Sequence, residues 1–331
     1  MSEPSHQSAI DRSALDAALA AIAALEGDGG VSLATLVVHQ GEIVAEQYGP
    51  DVDADTTLIS WSMAKSITQA LIGILVGDGL LDIDAPAAVP EFAGTDKAAI
   101  TVRTLLAMRS GLEFVEDYVD DSVSHCLEML FGSGIDDHAH YAASLALIHP
   151  PDTVWNYSSG TTNILSRLAG EIISAHADDA TPDIASFLAD RLFGPLGMTS
   201  ATPKFDAAGT FVGSSYVYAT ARDFARFGAL YLHDGECDGQ RLLPEGWVDY
   251  SRAVASVDDN PPHFGYGSHW WIWPDFDGSV AAHGYEGQYI IVVPDRDLVV
   301  VQLSKVPTDV RPPLVDQLRR IVAAFPSGRA G

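Results

Sequence analysis

Segments with the composition and alternation of β-strands lie only towards the two ends of this chain. Residues 33–38 and 42–48 come early and 269–273, 278–282, 288–293 and 298–303 come late, while the stretch between them is mainly helical in its spacing. That order implies one antiparallel sheet built from both chain ends and flanked by helices, with an all-helical subdomain inserted. The early pair is separated by His39, Gln40 and Gly41 and reads as a hairpin. A helix over 13–25, stopped by Gly27, Asp28, Gly29 and Gly30, precedes it. Further helices are expected over 62–76, 100–108, 163–175, 184–193, 221–232 and 313–324. The expected organisation is one domain over 1–331. Its sheet-containing part comes from 1–60 and 206–331, its mainly helical part from 61–205.

Charge narrows the function classes. The 331 residues carry 18 Lys+Arg against 45 Asp+Glu, a formal net charge of −27. Binding to nucleic acid needs a basic face to displace counterions, and an anionic membrane surface would repel this chain. The longest apolar stretch, near 71–76, is too short to cross a bilayer, and residues 1–6 show no secretory signal, so a cytoplasmic protein is expected. Cys126 and Cys237 do not make a disulfide framework. The expected partner is a small molecule, with monomer and homodimer both open.

Only four residues are lysines, and one of them, Lys65, lies in Ser62-Met63-Ala64-Lys65 at the head of an otherwise apolar helix. A spacing of three places both side chains on one helix face. Burial disfavours the charged form of an amine, and a neutral amine beside a hydroxyl can act as its general base. The start of the helix adds free N–H groups suited to a developing oxyanion. Ser-x-x-Lys alone recurs by chance in many proteins; the scarcity of lysine and the apolar run 67–76 make a solvated Lys65 less natural.

Two further segments could complete such a site. Trp155-Asn156-Tyr157-Ser158-Ser159-Gly160 is a polar loop opening a helix. A phenol near an ammonium has its ionised form favoured and can relay protons, although packing the ring and exposing the hydroxyl is the commoner fate of a loop tyrosine. Ala282-His283-Gly284-Tyr285-Glu286-Gly287-Gln288 leads into a strand, and its glycines suit either a tight hairpin or a close backbone approach to a ligand.

On these residues the chain resembles the serine β-lactamase and penicillin-binding-protein superfamily, in particular its class C-like branch of esterases and 6-aminohexanoate-dimer (nylon-oligomer) hydrolases. The similarity runs from the hairpin to the final strand. Ser62-x-x-Lys65 matches the nucleophile motif, Tyr157-Ser158-Ser159 stands where the family has Tyr-x-Asn, and Ala282-His283-Gly284 where it has Lys-Thr-Gly. Residues 100–112, 192–198, 219–228 and 241–247 are similar as well. The resemblance implies an α/β (α+β) β-lactamase-like fold. It also implies catalysis by Ser62, Lys65 and Tyr157, an oxyanion hole from the N–H groups of Ser62 and Tyr285, and no cofactor or metal. Ser159, His283, Gly284 and Trp271 become candidate substrate contacts.

Two departures shape the expected activity. Ser159 replaces the Asn that contacts a substrate amide, and Ala282 replaces a lysine that holds a substrate carboxylate, so a charge-assisted contact is missing. Hydrolysis of esters or linear amides is therefore expected ahead of the alternatives: a β-lactamase, a D-amino-acid peptidase, or a penicillin-binding sensor that deacylates slowly. The acidic segment 113–121, with Glu113, Glu116, Asp117, Asp120 and Asp121, reads as a solvated face. In the family this region borders the site, so Glu116 and Asp117 are candidates for recognising a substrate ammonium. Asp137-His138-Ala139-His140 reads as a solvated loop rather than a metal site. Trp271 and Trp273 are expected to share one strand face, with Trp270 on the other.

Overall fold

Two successive left-handed residues, Gln40 (φ 53°) and Gly41 (φ 77°), reverse the chain between β1 (Val31–His39) and β2 (Glu42–Tyr48). Positive φ at both central residues gives the tight turn whose twist matches that of the paired strands, and glycine adopts it without steric cost. The computed structural model describes residues 9–25, 30–117, 123–177, 183–259 and 263–328. Its remaining strands are β3 (Leu58–Ile59), β4 (Thr202–Pro203), β5 (Val217–Ala219), β6 (Glu236–Cys237), β7 (Gln240–Arg241), β8 (Ser256–Val257), β9 (Gly265–Tyr266), β10 (Trp271–Ile272), β11 (Val280–Gly284), β12 (Gln288–Val293) and β13 (Leu298–Lys305). The helices are α1 (Arg12–Ala23), α2 (Ala64–Gly77), α3 (Val102–Leu106), α4 (His125–Phe131), α5 (His138–Ser144), α6 (Ser159–Ala175), α7 (Ile184–Leu188), α8 (Ala221–Leu232), α9 (Trp247–Arg252) and α10 (Pro312–Ala323).

Eight strands form one antiparallel sheet in the order β2-β1-β13-β12-β11-β10-β9-β8. The expected closure by both chain ends is the β1–β13 pair, in which Val37 faces Val300 and His39 faces Leu298. Side chains alternate across the pleat, so Ile290, Val292, Val299 and Val301 join the core beneath α2 and α8, while Ile291, Val293, Leu298 and Val300 pack under α1 and α10. Helices on both faces explain why β12 and β13 read as near-continuous apolar runs.

Helix α2 is buried from Ala64 to Leu75, as its lack of a polar face requires. A small sheet, β3-β5-β4, pairs Ile59 with Tyr218 and delivers the chain to the head of that helix.

Several local expectations need correction. The segment 269–273 pairs only over β10, although the expected faces hold: Trp270 enters the core with Phe227 and Tyr231, and Trp271 and Trp273 lie on the other side. The helix expected from 163 starts at Ser159, capped by Ser158 Oγ, which accepts from Thr161 N at 3.0 Å. The helix expected over 184–193 is α7 followed by a π turn, Ala189–Phe193. Residues 137–140 are not a solvated loop. Asp137 caps α5 by accepting from His140 N at 2.8 Å, His138 is buried, and His140 meets Glu91 at 2.7 Å.

Candidate active site

The nucleophile candidate sits in a constrained turn. Ser60 N donates to Val217 O (2.8 Å), while the Ser60 hydroxyl donates to Ser215 O (3.2 Å) and accepts from Val217 N (3.1 Å). Trp61 then adopts φ 44°, a conformation that costs energy for a bulky residue. Ser62 lies in the 3-10 turn Trp61–Met63, just ahead of α2 rather than inside it. The turn continues directly into the helix, so the spacing of three still works: Lys65 Nζ donates to Ser62 Oγ at 2.8 Å.

Lys65 is 1% exposed. Its Nζ also donates to Ser159 Oγ at 2.9 Å and to Ser214 O at 3.1 Å. Among the described residues the nearest carboxylate oxygen, Glu116 Oε1, is 4.0 Å away. Ser214 is held in turn by its N–H, which donates to Asn163 Oδ1 at 3.2 Å.

Tyr157 reaches this group from the loop before α6. Asn156 anchors that loop, donating from its backbone N to Met108 O (2.8 Å) and from Nδ2 to Phe114 O (2.9 Å). The Tyr157 ring lies 4.9 Å from Lys65 Nζ and packs on Trp271 at 5.4 Å and Tyr266 at 5.8 Å. Burial raises the pKa of its phenol. The Lys65 cation opposes that rise, the Glu116 carboxylate adds to it, and hydrogen bonding with Ser62 and Lys65 again opposes it. Lys65 does favour the ionised form, as expected, but desolvation outweighs the neighbouring charge and the net shift is upward. The group at this position is a phenol.

Sheet strand β11 closes the other side. Gly284 runs so near the turn that a Cβ on it would lie 2.5 Å from Ser60 O. Close approach to Ser60 is therefore a visible role of this glycine. Tyr285 follows, its ring edge-on to Trp61 at 5.8 Å. Its carbonyl accepts from Gln288 Nε2 at 3.0 Å, and Ser304 Oγ bonds the carbonyls of Glu286 (2.7 Å) and Gly287 (2.8 Å), which pins the turn.

His283 stacks on Trp271 (5.1 Å, 7° between planes), and its Nε2 accepts from Trp273 Nε1 at 2.8 Å. Burial holds this imidazole well below its ordinary pKa, with the Arg311 charge acting in the same direction. It is a neutral part of an aromatic wall that runs from Phe264 through Trp271 to Tyr157. Ser159, 1% exposed, is brought to Lys65, and Glu116 is brought to Ser159: Oε1 accepts from Ser159 Oγ at 2.5 Å and Oε2 from Ser159 N at 2.7 Å. Asp117 is exposed beside it. Residues 118–122, including Asp120 and Asp121 of the acidic segment, lie outside the described residues.

Sequence reasoning missed Ser214 and His269. No motif marks either, since both act through contacts set by distant segments. His269, buried at φ 56°, donates from Nδ1 to Leu106 O (2.7 Å), meets Thr162 Oγ1 through Nε2 (2.9 Å), and takes a bond from Ser66 Oγ on its own carbonyl (2.7 Å). It ties the connection between β9 and β10 to α2, α3 and α6. Burial pulls its pKa down to about 3, against the Leu106 carbonyl and with help from the Lys65 charge. The unfolded chain binds a proton near the ordinary pKa of about 6.5, so stability rises with pH between these values and is lost as pH falls through them. The melting temperature is expected to drop from pH 7 to pH 4, and His269→Gln to lower it at pH 7 while flattening that slope. A slope unchanged in the variant would assign the acid sensitivity to other groups.

The profile of the beta-lactamase family matches residues 19–324. The chain belongs to this family. Among curated beta-lactamase-family relatives, a 6-aminohexanoate-dimer hydrolase of Paenarthrobacter ureafaciens is 27% identical over 292 residues, covering 83% of this chain and 72% of that protein. Solved structures share the fold at lower identity. A penicillin-binding protein homologue from Caulobacter crescentus superposes with a TM-score of 0.71 at 18% identity, over 96% of this chain and 99% of its own. A family VIII carboxylesterase gives 0.71 at 15%, over 96% and 99%. No helix of the described residues is long and apolar enough to cross a membrane.

Proposed function

We propose that this beta-lactamase-family chain is a serine hydrolase that cleaves esters or linear amides through an acyl-enzyme on Ser62. The observation that carries this reading is the buried Lys65 amine, 2.8 Å from the Ser62 hydroxyl, with no carboxylate of the described residues hydrogen-bonded to it. Lys65 takes the Ser62 proton as Oγ bonds to the substrate carbonyl carbon. The N–H groups of Ser62 and Tyr285 receive the oxyanion. As the intermediate collapses, the bond to the leaving nitrogen or oxygen breaks and the Tyr157 phenol supplies its proton, which the Lys65 ammonium replaces. Water then attacks the ester carbon and gives up its proton to the same pair; the bond from that carbon to Ser62 Oγ breaks, the carboxylic acid leaves, and Oγ regains a proton from the pair. The reaction so written requires neither metal nor organic cofactor.

Substrate choice follows from what lines β11. Ala282 is buried and offers no cation for a substrate carboxylate, which favours uncharged acyl groups. The name of the Paenarthrobacter relative supports linear amides and that of the carboxylesterase supports esters. Both oxygens of Glu116 already accept from Ser159 and Asp117, next in the chain, is exposed, which favours Asp117 over Glu116 as the group that meets a substrate ammonium.

Intact-mass spectrometry during hydrolysis of p-nitrophenyl butyrate tests the mechanism. Many turnovers per chain are expected, with an acyl adduct on Ser62 when the reaction is quenched early; a single burst with the acyl group retained would mark a slowly deacylating receptor instead. An exposed ion pair is worth at most about 1 kcal/mol, so Asp117→Asn should raise KM for linear 6-aminohexanoate dimer by up to about fivefold while leaving KM for the neutral ester unchanged. Equal shifts for both substrates would remove Asp117 from substrate recognition.

A further inference from the structure

We infer that Glu116 is a positioning residue, which sets the direction of the hydrogen bonds around Lys65 by holding the proton of Ser159 and so turns the free lone pair of the amine towards Ser62. The inference rests on the hydrolase reading above, since it assigns a task within that site. It also replaces the expectation that Glu116 meets a substrate ammonium.

The argument is a count of protons. A carboxylate can only accept. Glu116 Oε2 takes the Ser159 backbone N–H at 2.7 Å and Oε1 takes the Ser159 hydroxyl proton at 2.5 Å, a short bond of the kind expected for an ionised acceptor. A serine hydroxyl has one proton to give. With that proton committed to Glu116, Ser159 Oγ can meet Lys65 Nζ, 2.9 Å away, only as an acceptor. Ser214 O, at 3.1 Å, is a carbonyl and is also an acceptor only.

An ammonium has three N–H bonds and a neutral amine has two. When Lys65 is neutral, its two N–H groups are claimed by Ser159 Oγ and Ser214 O. The lone pair is then left on the side of Ser62 Oγ, 2.8 Å away, which the Tyr157 phenol also approaches. That is the orientation in which the amine can take the Ser62 proton. The proton lost from the ammonium form is likewise the one facing Ser62, because the other two have partners that can do nothing but accept.

The location of Glu116 makes the arrangement stable. Its carboxylate sits at the first residues of α6, where free N–H groups and the helix dipole favour negative charge. It is 22% exposed and stays 4.0 Å from Lys65 Nζ, so Ser159 stands between the two charges as a relay. A carboxylate bonded directly to the amine would claim the N–H itself and would favour the ammonium.

Glu116→Gln separates direction from charge and shape. The amide that replaces the carboxylate accepts the Ser159 N–H through its oxygen, and its NH2 then faces Ser159 Oγ as a donor. The Ser159 proton is released towards Lys65, where it competes with Ser62 for the lone pair. Loss of a positioned proton acceptor typically removes 10²–10⁴ in rate, so kcat for p-nitrophenyl butyrate should fall about 100-fold while KM changes by less than about threefold. Ser159→Ala removes the hydroxyl through which Glu116 acts; adding Glu116→Gln to it should cost less than about twofold more. A purely structural role would keep its full penalty in both backgrounds, and that result overturns the inference, as does a Glu116→Gln enzyme with wild-type kcat. Thermal melts of all three variants identify any loss due to unfolding, and the cycle is read from kcat per folded chain. Ser62→Ala run alongside separates the two readings: if it retains turnover the hydrolase mechanism fails and Glu116 falls with it, whereas an inert Ser62→Ala beside an undisturbed Glu116→Gln leaves the mechanism standing and removes Glu116.

Discussion

Ser62→Ala should lose at least about 10³-fold in kcat/KM for p-nitrophenyl butyrate while its melting temperature holds or rises. The size of the loss follows from the roles of the hydroxyls described around Lys65: Ser62 Oγ is the proposed nucleophile, and the Tyr157 phenol, which also hydrogen-bonds with Lys65, is the proposed proton relay. Ser159 Oγ is equally near Lys65, but it is 1% exposed and its proton belongs to Glu116. Ser214 contributes only its carbonyl. Among the described residues neither serine is therefore placed to take over as nucleophile, and what remains is water held by the proposed oxyanion donors. The stability expectation comes from the same turn. Ser62 hydrogen-bonds with Lys65 and with the Tyr157 phenol, both groups of the site itself, and it occupies a position that follows a left-handed Trp61. Reactive groups kept in strained, polar settings are commonly traded for stability when removed. A Ser62→Ala enzyme with more than about a tenth of wild-type kcat/KM would end the acyl-enzyme reading, whereas an inactive protein that also melts far lower would show that the hydroxyl is structural.

What could be read from the sequence was whatever is encoded locally. The apolar length of α2, the β-branched apolar runs of β12 and β13, and the turn chemistry of Gln40-Gly41 all sit within one segment. Ser62 and Lys65 share a helix turn, so their contact followed from spacing alone. The rest depends on segments far apart in the chain. Strands β8, β9 and β10 have two residues each, too few to show any period; neighbours set their pairing. Helix α5 is only seven residues and starts from an Asp-His-Ala-His sequence with little apolar signal, so a loop was the natural reading. Glu116 was visible only as one acid in a charged run; its bond to Ser159 spans 43 positions. His269 joins elements more than one hundred residues apart. The direction of the Tyr157 shift was missed for a related reason: spacing shows which charges are near, but not how much solvent the packing of Trp271 and Tyr266 removes.

Gly284→Ala should reduce kcat/KM for the ester about 100-fold and destabilise the chain by about 1–3 kcal/mol. The added Cβ would stand 2.5 Å from Ser60 O and 2.8 Å from Gln288 Cβ. The first of these is backbone and is fixed through the bonds of Ser60 to Ser215 and Val217. It cannot swing aside as a flexible side chain would. Ordinary contact requires β11 or the 3-10 turn to retreat by about 0.5–1 Å, and a displacement of that size at reacting groups is enough to cost two orders of magnitude. Either movement would displace the Tyr285 N–H that we propose as an oxyanion donor with Ser62, and pressure on Gln288 disturbs the side chain that pins the Tyr285 carbonyl. Gly170→Ala in α6 is the matched control: the nearest atom to its Cβ would be Ile184 Cδ1 at 4.0 Å, so alanine should add about 0.5–1 kcal/mol of stability and leave turnover unchanged. Steady-state kinetics and thermal melts of the two variants give opposite signs of stability change, with activity lost in one only. If Gly284→Ala is destabilised yet keeps full kcat/KM, the end of β11 buttresses the fold without forming part of the oxyanion site. A joint loss, with Gly170→Ala unaffected, ties the approach of β11 to Ser60 to catalysis.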